Sequence, residues 1–235
     1  MPGRRGREYG RAVAARLLAA GLLATAAHAA APVAELAYVR PDGVRTVAFR
    51  LDADGTAAVD LRGELLTARL PAGTVERLRQ RLSGEALCAV PQADFDALLA
   101  AEADRYAVLL PIPLADRCEL TLPGGRSLAC VGPGVLSRRM RGVRPVQDFD
   151  RVRRELEQLA AVVVLGGPEQ LRAFLRTAAD AAGGPVSLSS LAYADSFAGE
   201  RVAHFHTDDA GGGIVVVTAA DGAAPSARVL QTALR

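Results

Sequence analysis

The chain has 235 residues, with 28 basic and 26 acidic side chains, and every basic one is an arginine. Lysine, asparagine and tryptophan are absent, which excludes a phosphate loop built on lysine, a lysine Schiff base, a Cys-His-Asn constellation and an N-glycosylation sequon. The same omissions mark a GC-rich bacterial genome, and at 4 % aromatic residues there is little material for a stacking platform.

Residues 1–29 read as an export signal. Arg4, Arg5, Arg7, Arg11 and Arg16 make a basic start, and Leu17 to Ala26 is an apolar run too short for a bilayer. Ala27-His28-Ala29 then offers the small residues that a signal peptidase reads. Cleavage removes five arginines and Glu8: 28 less five leaves 23 basic side chains, and 26 less one leaves 25 acidic ones. The mature chain is slightly acidic, which argues against nucleic acid as a partner. No later run has transmembrane length, so a secreted or periplasmic protein without a membrane anchor is expected.

Strands are predicted over 35–40, 46–51, 57–61 and 64–70, separated by turns at Pro41-Asp42-Gly43 and Asp52-Ala53-Asp54-Gly55. Val75, Leu78 and Leu82 recur at helical spacing and predict a helix over 73–82, closed by Ser83-Gly84. A shorter helix follows over 93–103, turning Phe95, Leu98 and Leu99 inward. Residues 106–110 read as a strand stopped by Pro111 and Pro113.

A hairpin is predicted next. Cys118, Leu120 and Leu122 share one face, and after Pro123-Gly124-Gly125 the alternation resumes with Leu128 and Cys130. A three-residue loop places Cys118 opposite Cys130, within the Cα reach of a disulfide. Cys88 is an alternative partner for either, and two buried thiols packed as small hydrophobes are a further reading.

Asp148 is expected to cap an amphipathic helix carrying Phe149, Val152, Leu156 and Leu159. Gly166-Gly167 suggests an internal boundary. Beyond it, Pro168 opens a helix with Leu171, Phe174, Leu175 and Ala178 inward, closed by Gly183-Gly184. Strands over 186–193, 201–207 and 213–218 and a closing helix over 226–234 complete the chain. Runs of strands with helices between the runs predict an α+β fold with mostly antiparallel sheets and packed amphipathic helices. The expected organisation is a signal over 1–29, an α+β sub-domain over 30–165 and an α-β-β-β-α sub-domain over 166–235.

In element order, Leu70 to Pro91, Arg117 to Val131 and Asp148 to Leu159 resemble small secreted bacterial α+β domains, the emfourin-type protease inhibitors among them. The resemblance covers about half the chain, lacks that family's glycine-rich opening and does not extend residue by residue. It implies an inhibitor-like module that engages another protein.

Histidine chemistry is confined to His204 and His206, which stand on one face of a strand, with Asp208 at the same parity. These three are the candidate ligands for Zn or Cu, and a metal-dependent hydrolase is the catalytic form of that reading. No Gly-x-Ser-x-Gly elbow accompanies them. Arg138, Arg139, Arg141 and Arg144 form a local basic cluster suited to a protein partner or an anionic cell-surface polymer. The main expectation is a non-enzymatic binding protein of the bacterial envelope, with the metal site as the alternative.

Overall fold

The structure is a computed structural model that describes residues 31–112, 114–207 and 213–230. From Pro32 onward the described residues form one compact unit. Among the described residues the chain order begins β1 (Ala34–Val39), β2 (Arg45–Leu51), β3 (Thr56–Leu61), β4 (Glu64–Arg69), α1 (Ala72–Ser83) and α2 (Gln92–Ala103). It continues with β5 (Arg117–Leu122), β6 (Arg126–Val131), α3 (Pro133–Arg139), α4 (Arg144–Val164) and α5 (Pro168–Ala182). The last four elements are β7 (Leu191–Phe197), β8 (Glu200–His206), β9 (Ile214–Ala220) and β10 (Ser226–Leu230). This is the α+β fold expected: two antiparallel sheets with five helices.

The first sheet has the order β4-β3-β2-β1-β5-β6 and the second the order β10-β9-β8-β7. Period-two alternation turns Leu36, Phe49, Leu51, Leu120 and Leu122 into the core, where each is fully buried. Helical spacing does the same for Phe149, Val152 and Leu156 on α4, which touches β1 to β4 of the first sheet and β7 of the second. Fully burying a side chain of this size stabilises by about 1.5–3 kcal/mol. Phe149 stacks on Phe95 of α2, with ring centroids 5.7 Å apart. Phe174 and Ala178 of α5 are fully buried, as are Val215 and Val217 of β9, the strand that α5 covers. Gly166 and Gly167 form the turn from α4 to α5, both at positive φ.

One turn shows why glycine is required. Gly55 has φ +90° and its carbonyl takes the Leu70 N–H at 2.9 Å. A Cβ there would stand 2.8 Å from the Leu70 carbonyl oxygen, so the β2–β3 turn closes on the end of β4 only with glycine.

Several expectations are corrected. Helix α4 starts at Arg144, four residues before Asp148: Pro145 suits a first turn because its missing N–H is an orphan there anyway. Asp148 instead accepts from Arg151 at 3.1 Å. Residues 106–110 form no strand. The sheet edge beside them is occupied by a side chain, and Pro111 offers no N–H to pair. Ser187 Oγ bonds to Ser189 and Ser190, and Leu188–Ser190 fold into a short 3₁₀ turn, delaying β7 to Leu191. Residues 226–230 are a strand rather than the start of a closing helix, because Ala227 and Val229 pair with Val217 and Val215 along the edge of β9. Helix α3 was not anticipated. The signal residues 1–29 lie outside the described residues.

The Cys118–Cys130 register is as expected, but all three cysteines are free thiols. Hydrogen-bond phase gives the reason. The N–H of Ala129 donates to Gln92 Oε1 at 2.7 Å, and its carbonyl accepts from Gln92 Nε2 at 3.0 Å. Ala129 thus turns its peptide groups away from β5, so Leu128 and Cys130 turn theirs toward it. The Gly132 N–H, donated to the Asp116 carbonyl at 3.0 Å, keeps the same phase. Cys118 and Cys130 therefore form a hydrogen-bonded pair, whose Cα atoms stand about 5.5 Å apart and whose Cβ atoms lie farther apart than in the other kind. A disulfide needs Cβ atoms at about 3.5–4.5 Å.

Candidate functional site

Four places concentrate chemistry. The first is built by residues 106–112 and 114–116 together with α3. From Val108 to Ile112 the chain alternates: Val108, Leu110 and Ile112 pack on the core, whereas Leu109 is 72 % exposed. Leu114, at φ +58°, is 91 % exposed. The segment is tied to α3 through Gly132, whose N–H holds Asp116 and whose φ of +60° leaves room for Ile112. A Cβ on Gly132 would stand 2.9 Å from Ile112 Cδ1. Helix α3 then presents Val135, Arg138 and Arg139, with Arg141 in the following turn and Arg144 at the start of α4, and all five are exposed.

Arg144 approaches Asp148 at 4.0 Å, whereas Arg138, Arg139 and Arg141 make no ion pair among the described residues. A cavity of about 220 Å³ opens between Arg138, Arg153, Tyr38 and Asp116. Apolar side chains beside unpaired guanidiniums suit a protein surface that is apolar and acidic by turns.

Beneath that cavity lies the second place, a polar clasp joining β1, α3 and α4. Asp150, 3 % exposed, accepts from Ser137 Oγ at 2.8 Å and from Arg153 Nε and Nη2 at 2.9 and 2.7 Å. Arg153 Nη1 donates to Glu157 at 2.6 Å, and the Tyr38 hydroxyl donates to the same carboxylate oxygen. Burial, reinforced by Glu157, pushes the Tyr38 hydroxyl far above its ordinary pKa, so it stays protonated and keeps donating. Every group has a partner, and the clasp holds α3 where its arginines project.

The third place is a groove of about 350 Å³ at the edge of β6, between that strand, α2 and residues 110–111. Gln92, Asp96, Leu99 and Ala100 line one wall at helical spacing, and Cys130 lies in the floor. Burial pushes the Cys130 thiol up to about 12 and Cys118 higher still, so neither is a thiolate at neutral pH.

The fourth place is the outer face of the second sheet. Ala203 and Phe205 of β8 are fully buried, so His204 and His206 alternate onto the opposite face. His204 is half-buried, with its ring 5.1 Å from that of Tyr193, and His206 is exposed. Asp208 lies outside the described residues. Among the described residues no group of three or more His, Cys, Asp and Glu side chains is arranged to hold a metal. Nearby, Asp195 accepts from Tyr193 Oη and Arg62 Nη2, both at 2.5 Å. The Tyr193 hydrogen bond, followed by Arg62, holds the Asp195 carboxyl below its ordinary value.

The arginine cluster was legible in the sequence as a cluster; the exposed leucines and the groove were not singled out. The spacing Leu109-Leu110-Pro111 was a usable sign, since a proline-stopped extended segment at a sheet edge must show alternate side chains to solvent. Gln92 carries no local signal, because its partner Ala129 lies 37 residues away.

These observations define the class: an α+β protein of two antiparallel sheets, in which no described helix is long and apolar enough to cross a membrane. Comparison with known protein families, curated proteins and solved structures found no match.

Proposed function

We propose that this chain is a non-enzymatic binding protein exported to the bacterial envelope or beyond, and that it engages a protein or anionic cell-surface partner as an inhibitor-like module. The supporting observation is the surface formed by residues 106–112, 114–116 and α3. There Leu109 and Leu114 face solvent, while Val108, Leu110 and Ile112 anchor the segment. Arg138, Arg139 and Arg141 stand on the connected helix and turn without an ion-pair partner among the described residues. Exposed leucines on an anchored segment cost little ordering entropy on binding, and the arginines steer an acidic partner.

The test uses the mature chain as bait for the exported fraction of its own host. The expected result is a retained partner that is lost with Leu109→Asp/Leu114→Asp and with Arg138→Glu/Arg139→Glu/Arg141→Glu, at unchanged melting temperature. Retention of the same partner by both variants would overturn the proposal.

A second reading is supported by the shared open face of His204 and His206. A Zn or Cu ion there would draw its remaining ligands from Asp208 or from outside the described residues, and a metal-dependent hydrolase would be its catalytic form. A Zn²⁺-dependent thermal shift that disappears in His204→Ala/His206→Ala would favour it over the binding surface. A site held at 100 times its dissociation constant stabilises by about 2.7 kcal/mol.

A further inference from the structure

Edge strand β6 borders a groove that shares residues 110–111 with the segment described above. The outward phase of Ala129 fixes that of its neighbours, so the N–H and carbonyl of Ser127 and Val131 also point away from β5. At Ala129 both groups are taken by the Gln92 carboxamide, which bonds there as a residue of an adjacent strand would. Two residues further, at Val131, no side chain takes that role: the carbonyl has only the long contact from Cys130 Sγ at 3.9 Å, and the groove lies in front of it. Pro111 borders the groove without an N–H to offer.

The walls and ends of the groove are chemically distinct. Leu99, Ala100, Leu110 and Leu136 make its sides apolar. At the Ala129 end stands Asp96, whose carboxylate accepts from Gln92 Nε2 at 2.8 Å and has further lone pairs available. At the Val131 end stands Arg117, the cross-strand partner of Val131. Its side chain is 56 % exposed and pairs loosely with Glu119 at 3.6 Å, a carboxylate that Arg45 already holds at 3.0 Å, so its remaining N–H groups are available. The step from Ala129 to Val131 covers two strand residues, about 7 Å. That is about the separation of the ammonium and carboxylate of an extended dipeptide.

The geometry points to this groove as a site for a free, zwitterionic dipeptide with apolar side chains. The ligand's carboxylate lies on Arg117, its ammonium on Asp96, its peptide group pairs with the Val131 edge, and its side chains pack on Leu99 and Leu110. Gln92 closes the strand edge beyond the ligand's amino end, which limits its length. The volume sits at the lower end of the range for small-ligand pockets, about 300–1,000 Å³.

The experiment is isothermal titration of the mature chain with Ala-Leu, Val-Leu, Leu-Leu and Phe-Leu, each also as its N-acetyl and C-amide form. At least one free dipeptide is expected to bind, with affinity falling tenfold or more when either end is blocked. Arg117→Gln should abolish the preference for the free carboxylate, and Asp96→Asn that for the free amine. Circular dichroism melts confirm that both variants fold. Binding that ignores the blocked ends, or no binding by any of the four at 10 mM, about the weakest affinity a small site of this kind would show, overturns the inference. Leu109→Asp/Leu114→Asp changes the other surface and leaves dipeptide binding intact, so the two proposals fail separately.

Discussion

The molecule carries the same three-part polar cluster twice, a tyrosine, an arginine and a carboxylate, once inside and once outside. Within the first sheet's core layer, Tyr38 and Arg153 converge on Glu157, and Arg153 also clamps Asp150. On the outer face of the second sheet, Tyr193 and Arg62 converge on Asp195. The bonds are of similar length, so geometry alone would rank the two clusters alike. Surroundings of the donors separate them: Arg153 is 16 % exposed and also holds the buried Asp150, whereas Arg62 is 57 % exposed and Tyr193 faces solvent, although Glu157 is itself more open than Asp195. In the interior an unpaired partner has no solvent to turn to, and that asymmetry gives a buried cluster its leverage.

The largest expected effect is therefore that of Asp150→Ala. It removes the acceptor shared by Ser137, Arg153 and Arg154 and leaves the Arg153 guanidinium, 16 % exposed, with one carboxylate in place of two. Breaking a buried pair in this way costs about 3–5 kcal/mol. Urea denaturation would show the loss as a lower midpoint with an unchanged slope. A cost under about 1 kcal/mol would place the inner cluster in the same class as the outer one and break the comparison.

Replacing each tyrosine by phenylalanine sharpens it, because only the hydroxyl is lost. Tyr38→Phe removes a half-buried hydrogen bond to Glu157, which keeps Arg153, and should cost about 1 kcal/mol. Tyr193→Phe removes a hydrogen bond that water replaces, and should stay within about 0.5 kcal/mol of the parent. Thermal melts of the two variants side by side measure the difference, and equal costs would count against burial as the deciding factor.

Neither cluster was legible in the sequence, for reasons of distance. Tyr38 and Glu157 are 119 residues apart, and Arg62 and Asp195 are 133 apart. No periodicity connects them. What local patterning reaches, it reached well: Pro168 and Gly183 bracket α5, and Pro123-Gly124-Gly125 sets the hairpin that places Cys118 opposite Cys130. Phase was beyond it, since whether that pair is hydrogen-bonded shows through Gln92, which arrives from α2, and through the bond from Gly132 to Asp116. Helix α3 was missed although Gly132-Pro133 is a legitimate start, because seven residues do not establish a helical period. Strand β10 was missed because its alternation answers to the edge of β9 rather than to its own composition. The binding readings divide along the same line: an arginine cluster contiguous in sequence was visible, while a groove assembled from α2, β6 and residues 110–111 required the fold.

The smallest effect belongs to Asp195, and pH isolates it. The Tyr193 hydroxyl first, then Arg62, hold its carboxyl below the ordinary value in the folded protein. The folded state thus binds the proton less readily than the unfolded chain, so the unfolded chain carries more protons on acidification. The stabilisation from Asp195 is complete above the unfolded value, near pH 4, and is lost as pH falls through the lower folded value. Asp195→Asn should therefore melt slightly below the parent at pH 7, and the gap should close as pH falls below about 4. The inner cluster provides the contrast, since Asp150→Ala removes packing and buried hydrogen bonds as well as charge. A gap for Asp195→Asn that is unchanged at low pH would mean that the carboxamide disturbs the fold of β7 itself, and that the outer cluster acts through shape rather than charge.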